Sequence, residues 1–342
     1  MHRDTPYADD IDGIVRYITD RSPVDQVGRF IRESGMEKDD FISCPSQFGG
    51  NVAAIDGSNA MVLESGSLSF IAVRAAESVF SCGRRERHRI SPLRVIRIGP
   101  GMTDSGFHDL YAECYNTVPG KPLAIDDLSM AASILRDTVE YWVAIRALEC
   151  LRRGDCLLLD GALRVSHASH NPLLTGIIRE SASRGVGLGA IAKRSALTWG
   201  GGYPLVWTVE MLARHHRLVP PWYLRIRDDF PDQRRFDEWR HGDIFVAKFH
   251  ERAYSAFKVE IPHGMDASAV SGVFSACAAY ADDGRIPGYP YPLLDAHRTV
   301  AIGRDVIEQV RQDVLRGMNG AGLSFEDYRQ WFGDYHDEFE RY

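Results

Sequence analysis

The sequence predicts a mixed α/β fold, with a sheet that begins antiparallel and continues parallel and with helices packed on its faces. Three observations predict it. Three apolar runs follow one another with short turns, a long stretch of helical periodicity comes next, and strands and helices then alternate. Strands joined by short turns pair antiparallel, whereas a strand that returns after a helix pairs parallel. This succession is that of a ribonuclease H-like sheet.

Helical character comes first along the chain. Between residues 1 and 42, apolar side chains recur every three or four positions among charged ones, which predicts one or two amphipathic helices. A turn-rich segment, CPSQFGG, then separates these helices from the sheet. The expected organisation is an N-terminal helical extension (1–48), a ribonuclease H-like domain with a mixed sheet and flanking helices (49–318), and an acidic, aromatic tail (319–342).

The central elements follow from changes in hydrophobic period. Apolar runs predict strands at 51–55, 68–75 and 93–98. Apolar residues then recur at three and four positions from 125 to 153, which predicts one long helix that ends at Gly154. The remaining predicted elements are strands at 156–160, 187–192, 244–249 and 256–261, and helices at 171–184, 267–280, 292–302 and 305–318.

Composition bounds the class of protein. The 342 residues are 44% hydrophobic and 25% charged, which is typical of a soluble globular protein with a substantial core. No apolar run reaches the roughly 18 residues that cross a bilayer, and the first residues carry no hydrophobic signal segment. We therefore expect a cytoplasmic protein with no membrane partner. The six cysteines include no Cys-x-x-Cys pair, so neither a structural zinc site nor a disulfide framework is indicated.

Charge is unevenly distributed along the chain. The formal net charge of −7 argues against a protein that coats nucleic acid nonspecifically. Basic runs nevertheless occur at 84–89 (RRERHR), 94–98 (RVIRI) and 225–235 (RIRDDFPDQRR). Each run is interpreted either as an ordinary solvated face or loop, or as part of a local basic groove.

Two predicted strands run into the same dipeptide, Asp-Gly. Asp56 follows the strand at 51–55, and Asp160 ends the strand at 156–160. Groups at the strand ends of an open α/β sheet lie beside the crevice where ligands bind, so the two carboxylates can converge although they are far apart in sequence. Oxygen ligands suit Mg²⁺ and Mn²⁺, which assist phosphodiester cleavage. The alternative interpretation of each Asp-Gly is a simple turn.

A third acid would have to come from the long helix between these strands. Glu140 and Glu149 are the candidates. Glu140 is favoured because it lies two-thirds of the way along the helix, among apolar positions and one turn after Asp137. A solvated glutamate is the alternative, and the two aspartates are what favour a functional role.

The segment GYPYPLLDAHRTVAI near the C-terminus combines polar and aromatic residues. A helix that starts near residue 292 places Asp295 and His297 in its first turns. A histidine there could bind a metal, hold a phosphate or move a proton. Tyr289 and Tyr291 could contact a phosphate or stack on a base. The alternative is ordinary aromatic packing at the start of a helix.

Four segments, in this order, resemble the NurA nuclease family, which occurs with the HerA hexameric ATPase: NVAAIDGSNAMV, ALECLRRGDCLLLDGAL, GLGAIAKRSAL and GYPYPLLDAHRTVAIGRD. The resemblance implies a ribonuclease H-like core and Mn²⁺-dependent cleavage of DNA, with Mg²⁺ as the alternative cation. It further implies 5′–3′ exonuclease and single-strand endonuclease activity in DNA end resection and recombinational repair. The implied partners are DNA, a HerA-like hexameric ATPase and a second copy of the chain in a homodimer.

The resemblance also implies roles for particular residues. Asp56, Glu140 and Asp160 match the metal-binding acids. His297 pairs with one of two tyrosines, of which Tyr291 is assigned to catalysis and Tyr289 to substrate contact. Lys193, in AIAKRSA, matches a lysine-arginine-serine segment and is assigned to substrate binding.

Two other functions stay open at this stage. The same fold could serve as an inactive adaptor that docks on the ATPase and guides DNA without cutting it. The segment GVGLGA (185–190) approaches the glycine spacing of a dinucleotide site, but it follows a predicted helix and precedes a strand, the reverse of what pyrophosphate binding needs. The stretch 198–240 carries no motif that favours any of these functions.

Overall fold

The computed structural model describes residues 7–22, 24–65, 68–99, 105–123, 128–227 and 240–333. The chain divides into two compact units. The described residues of Met1–Gly49, Gly161–Arg164 and Leu188–Tyr291 form the first unit, and those of Gly50–Asp160, Val165–Gly187 and Pro292–Tyr342 form the second. No helix among the described residues is both long enough and apolar enough to cross a membrane.

Both units combine strands with helices. In chain order the strands are β1 (Phe41–Ser43), β2 (Val52–Glu64), β3 (Ser69–Ser81), β4 (Arg84–Ile90), β5 (Arg94–Ile98), β6 (Cys156–Asp160), β7 (Gly187–Ala192), β8 (Thr198–Trp199), β9 (Tyr203–Pro204), β10 (Trp222–Arg225), β11 (Gly242–Lys248) and β12 (Phe257–Pro262). The α-helices are α1 (Ala8–Asp20), α2 (Val27–Ser34), α3 (Ser105–Tyr115), α4 (Leu128–Leu148), α5 (Asn171–Arg184), α6 (Leu205–His215), α7 (Ala267–Ala279), α8 (Tyr291–Val300), α9 (Arg304–Gly320) and α10 (Phe325–Phe332).

The second unit contains the mixed sheet that the sequence predicts. β2 pairs in parallel with β6 and antiparallel with β3, and β3 also pairs antiparallel with β4 and β5. The long helix α4 packs along β2 and β3. Most of its apolar residues and the first half of β2 are buried, because the helix turns its apolar side toward the sheet. The predicted mixed α/β fold with flanking helices is confirmed.

The far half of the β2–β3 hairpin supports the C-terminal helices. Val62, Leu63 and Ala72 of the hairpin form a small apolar cluster. Side chains of α9 and α10 pack against this cluster, and Phe70 contacts Phe332 with ring centroids 5.7 Å apart. The far half of the β2–β3 hairpin therefore packs against the helices that follow α8.

The first unit contains a set of antiparallel strands and an apolar core. Its strands pair antiparallel in the order β1, β10, β11, β12 and β7. Helices α2 and α6 cover it through an apolar cluster in which Phe30 meets Trp199 edge-on at 4.9 Å. The helix α6 is further tied to β11 by a buried ion pair, in which Glu210 and Lys248 lie 2.6 Å apart.

The first Asp-Gly is not a turn. β2 continues through Asp56 and Gly57 to Glu64, and the two residues pair in register with Ala76 and Ala75 of β3. The predicted strand ended at residue 55 because a polar residue and a glycine interrupt its apolar run. The structure keeps them in the strand since the β3 ladder continues past them.

Other elements match the prediction to different extents. The helix at 171–184 and the strand at 187–192 have the predicted bounds, so GVGLGA (185–190) follows a helix and runs into a strand, with residues 187–190 lying inside β7. The basic run RRERHR forms β4, whose side chains are mostly exposed. A charged strand at the end of a sheet has no alternating apolar face, which explains why the pattern did not reveal it. The unassigned region contributes α6 and β10, while 228–239 and the predicted helix start at 125–127 lie outside the described residues.

A buried histidine makes the stability of the second unit sensitive to acid. His170 is fully buried, and its Nε2 lies 2.9 Å from Oγ1 of Thr138 in α4. Burial lowers the pKa of His170 to about 3, and the nearby His167 adds to the shift. In the unfolded chain a histidine titrates near about 6.5. Below that pH the unfolded state therefore binds a proton that the folded state excludes.

The free energy of unfolding should fall as the pH drops from about 6.5 toward about 3, and this contribution should be fully present above about 6.5. His170→Gln should flatten that slope by up to about 1.4 kcal/mol per pH unit. Urea unfolding at several pH values measures the slope. His88→Gln, at an exposed position of β4, is the control and should leave the slope as in the wild type. An identical slope in the two variants would contradict the assignment.

Candidate metal centre

The parallel ladder between β2 and β6 places two carboxylates next to each other. Ile55 of β2 is in register with Leu159 of β6. Asp56 and Asp160 each follow one residue later, so they occupy adjacent positions on neighbouring strands. This is the convergence that the sequence predicts, although Asp56 lies within its strand and only Asp160 lies at a strand end.

His297 of α8 completes a group of three possible metal ligands. One ligand atom from each of Asp56, Asp160 and His297 lies within 4.8 Å of the others. Nδ1 of His297 is 2.6 Å from Oδ2 of Asp56. The Asp56 side chain is 9% exposed and the His297 side chain 52% exposed, so the group joins a buried carboxylate to a ring that reaches solvent. We call these three residues the metal-binding group.

The middle of α8 is anchored by Asp295, two residues before the histidine. Oγ of Ser78 in β3 donates to Oδ2 of Asp295 at 2.8 Å. Nη1 of Arg85 in β4 donates to both carboxylate oxygens, at 3.1 and 3.2 Å. The Asp295 side chain is only 12% exposed, so these charge-assisted contacts hold the helix against the strand that neighbours β2.

The end of α8 is held by a cross-strand pair. Ser58 of β2 and Arg74 of β3 are register partners. Arg74 donates to the carbonyl oxygens of Val300, at 2.9 Å, and Ala301, at 2.6 Å. The amide of Ile302 donates to Oγ of Ser58 at 3.2 Å. These contacts satisfy carbonyl groups that a helix end leaves without intrahelical partners. His297 therefore lies between two anchored positions.

Gly57 lets α4 approach the strand closely. A Cβ atom at this position would lie 2.7 Å from Cγ of Arg136 and 2.9 Å from Oε2 of Glu140. Gly161, after the other aspartate, has a different reason for being glycine. A Cβ there would meet no atom within 4 Å, but its φ of +120° is unfavourable for other residues. Glycine is thus needed at Gly57 because of close packing, and at Gly161 because of its backbone dihedral angle.

Glu140 lies beside the metal-binding group in a strongly acidic setting. Its side chain is 10% exposed, and its Oε2 is 3.8 Å from Nε of Arg136. Burial raises the pKa of Glu140 well above its ordinary value. Arg136 opposes this shift, whereas the charges of Asp137, Asp56 and Asp160 add to it. A buried concentration of carboxylates with one imidazole is a donor set that fits a hard divalent cation such as Mn²⁺ or Mg²⁺. Asp56 and Asp160 would hold it, with Glu140 and His297 next to them.

The remaining predicted residues belong to the first unit. Tyr289 is buried and packs against Phe257, with ring centroids 5.7 Å apart. The ammonium of Lys193 lies 5.6 Å from the Tyr289 ring centre. Tyr291 begins α8, and Arg285 lies over its ring at 5.2 Å. Their assignment to catalysis and substrate binding stays a prediction.

Several residues around the group were missed from the sequence. Arg74 and Ser78 carry no motif, and the segments that contain Ser58 and Arg85 do not reveal this role. The role depends on contacts with residues more than 200 positions later. Arg136 had a usable signal. It lies four residues before Glu140, and residues at that spacing share one face of a helix.

Comparison with known proteins identifies the fold. No protein-family model matches the sequence, and no curated protein sequence does. The structure, in contrast, is similar to the NurA nuclease from Sulfolobus solfataricus, with a TM-score of 0.59 and 16% identity, over 94% of this chain and 98% of that one. The chain has the NurA fold.

Two further structures are similar to different degrees. NurA with manganese has a TM-score of 0.50 and 10% identity, over 91% of this chain and 97% of that one. Human endonuclease V has a TM-score of 0.40 and 13% identity, over 83% of this chain and 99% of that one. The resemblance to NurA is thus confirmed at the level of the fold, across nearly the whole length of both chains.

Gly57→Ala should lower the free energy of unfolding of this NurA fold by about 1–3 kcal/mol, because the added Cβ would overlap Arg136 and Glu140. Guanidinium chloride unfolding measures the change. The control is Gly176→Ala in α5, where a Cβ meets no atom within 4 Å. That change should raise stability by up to about 1 kcal/mol, since alanine favours a helix interior. Equal effects of the two changes would contradict a close approach at Gly57.

Proposed function

We propose that this protein is a metal-dependent DNA nuclease that hydrolyses phosphodiester bonds at the metal-binding group. The single observation that carries the proposal is the meeting of ligand atoms from Asp56, Asp160 and His297 within 4.8 Å, in a chain with the NurA fold. Mn²⁺ is the proposed cation, with Mg²⁺ as the alternative. The manganese in the second NurA structure supports this choice.

The proposed reaction is a hydrolysis. The oxygen of a water molecule forms a bond to phosphorus, the bond from phosphorus to one ester oxygen breaks, and that oxygen keeps the electron pair and takes a proton. A bound divalent cation would lower the pKa of water and offset the charge that develops on the phosphate. Asp56, Glu140 and Asp160 are proposed to hold it. Asp56 and Glu140 are buried, and Asp160 is partly exposed.

His297 is proposed to hold or transfer a proton during this reaction. Its contact with Asp56 fixes the ring through Nδ1, and its half-exposed position lets it meet a substrate. Tyr291 is proposed to orient the scissile phosphate, while Lys193 and the buried Tyr289 support DNA binding. The partial exposure of Tyr291 favours it over Tyr289 for the contact with the reacting group.

The basic strand β4 is proposed to contact the DNA backbone. Arg85 and Arg87 of this strand make ion pairs within the unit, with Asp295 and Glu77. The exposed Arg84 and Arg89 are therefore the better candidates for phosphate contact, and binding through them would weaken as salt increases.

The finer assignments follow the resemblance to NurA. We propose 5′–3′ exonuclease and single-strand endonuclease activity, in DNA end resection and recombinational repair. The proposed partners are a HerA-like hexameric ATPase and a second copy of this chain, and the proposed location is the cytoplasm. These partners are the ones that the resemblance to NurA implies.

Wild-type protein should cut DNA in Mn²⁺ and not in EDTA. Asp56→Asn and Asp160→Asn should each lower the rate by about 1,000-fold, equivalent to several kcal/mol of transition-state stabilisation. Digestion of 5′-labelled and 3′-labelled single- and double-stranded DNA measures the rate and the polarity. Asp109→Asn, an exposed aspartate on α3, is the matched control and should keep full activity.

The proposal fails if wild-type protein cuts no DNA with either cation, alone or with a HerA-like ATPase. In that case the inactive adaptor becomes the better interpretation. Cleavage that survives both substitutions would instead show that the reaction takes place elsewhere on the chain.

A further inference from the structure

A positively charged residue outside the metal-binding group lies directly beside it. Arg136 is on α4, four residues before Glu140, and its side chain crosses Gly57. The Cγ atom lies 2.7 Å from the place where a Cβ at position 57 would be. The residue next to Asp56 must therefore be small for this side chain to take its path. The backbone of β2 at Gly57 and the side chain of Arg136 are therefore in close contact.

The orientation of this guanidinium is set by neighbouring groups. Nη2 and Nε of Arg136 donate to Oδ1 of Asp137 at 2.7 and 3.1 Å. Asp137 is itself held through its other oxygen, Oδ2, which accepts a hydrogen bond from Oγ of Ser166 at 2.6 Å. The contact to Glu140 is longer, at 3.8 Å. The arginine is thus oriented before any substrate binds.

The guanidinium is also accessible. The Arg136 side chain is 34% exposed, whereas the side chains of Asp137 and Glu140 are 13% and 10% exposed. An arginine that only neutralised these two acids would need no exposed surface. Its exposure lets it contact a ligand that approaches the metal-binding group from solvent.

A phosphodiester substrate creates a need for such a group. Carboxylates that bind a cation also repel the negative charge of the phosphate, and negative charge grows on the non-bridging oxygens during hydrolysis. A guanidinium offers several N–H donors in a planar arrangement that matches two phosphate oxygens, which an ammonium does not. Arg136 combines this chemistry with a position beside the acids.

We propose that Arg136 is a further catalytic residue, which donates hydrogen bonds to the non-bridging oxygens of the scissile phosphate. This role rests on the proposed nuclease function and adds to it a substrate contact on α4. It differs from a purely structural role, in which Arg136 would only balance the charges of Asp137 and Glu140.

A double-mutant cycle separates the two roles in cleavage. Arg136→Gln should lower kcat/KM by roughly 100-fold, as expected for loss of one preorganised donor to a developing charge. Arg136→Lys should recover only part of the rate, because lysine keeps the charge and loses the planar donor set. Adding Asp137→Asn to Arg136→Gln should restore nothing if Arg136 contacts the substrate, but should restore activity if it only balances charge.

The control for this cycle is Arg146→Gln. Arg146 is on the same helix, is exposed and contacts only the ring of Trp142 among the contacts described for it, at 5.0 Å. Its loss should leave cleavage unchanged. Thermal unfolding of every variant verifies that the fold is retained before rates are compared.

A binding measurement tests the phosphate contact without relying on cleavage. Oligonucleotides with a single uncharged methylphosphonate at successive positions are titrated in Ca²⁺, and affinity is followed by fluorescence anisotropy. Wild type and Arg146→Gln should bind more weakly when one particular phosphate is neutral. Arg136→Gln should show no further loss at that phosphate, because the contact is already absent.

The two measurements also separate this inference from the proposed function. If wild type cuts DNA but Arg136→Gln behaves like Arg146→Gln, or is restored by Asp137→Asn, the inference is wrong and the nuclease proposal stands. If wild type cuts nothing, the nuclease proposal is wrong. The methylphosphonate series then still tests the contact between Arg136 and a phosphate. If neutral phosphates weakened the binding of Arg136→Gln and of wild type equally at every position, that contact would be ruled out.

Discussion

The parallel pairing of β2 with β6 is the interaction on which the metal-binding group depends. Ile55 and Leu159, the last register partners before the acids, are almost completely buried, so the apolar core sets the alignment of the two strands. A shift of one residue would turn the side chains of a strand to the opposite faces. The core therefore places Asp56 beside Asp160 despite their repulsion. Packing of the apolar core offsets the electrostatic repulsion between the two carboxylates, and a bound cation would reduce that repulsion.

The rest of the group is assembled by ordinary structural contacts. Asp295 holds the middle of α8, the cross-strand pair Ser58 and Arg74 holds its end, and His297 lies between these contacts. Arg85 shows how this changes the interpretation of a basic run. As a part of RRERHR it is a candidate for DNA contact, but in the structure it pairs with Asp295 and so supports the histidine. Positive charge from this basic run therefore also holds the helix that carries His297.

Much of the fold could be predicted because its central elements have strong hydrophobic periods. The bounds of α5, β6 and β7 were predicted without error, and α4 and α8 were predicted in the correct order. The strand β4 was missed because an exposed strand at the end of a sheet carries no apolar alternation. The end of β2 was placed too early, because a polar residue and a glycine resemble a turn when the neighbouring strand is unknown. The error arose where the proposed metal ligand Asp56 interrupts the apolar pattern.

The sequence by itself determined the fold class, the two Asp-Gly positions, and a histidine on a late helix. These features are local, since they depend on hydrophobic period and on residue type. Only the tertiary structure decided which carboxylates lie close to His297. It also decided why residue 57 must be glycine, because Arg136 lies against Gly57. The physical reason is that strand register and helix approach arise from packing between segments far apart in the chain. No local pattern encodes those distances.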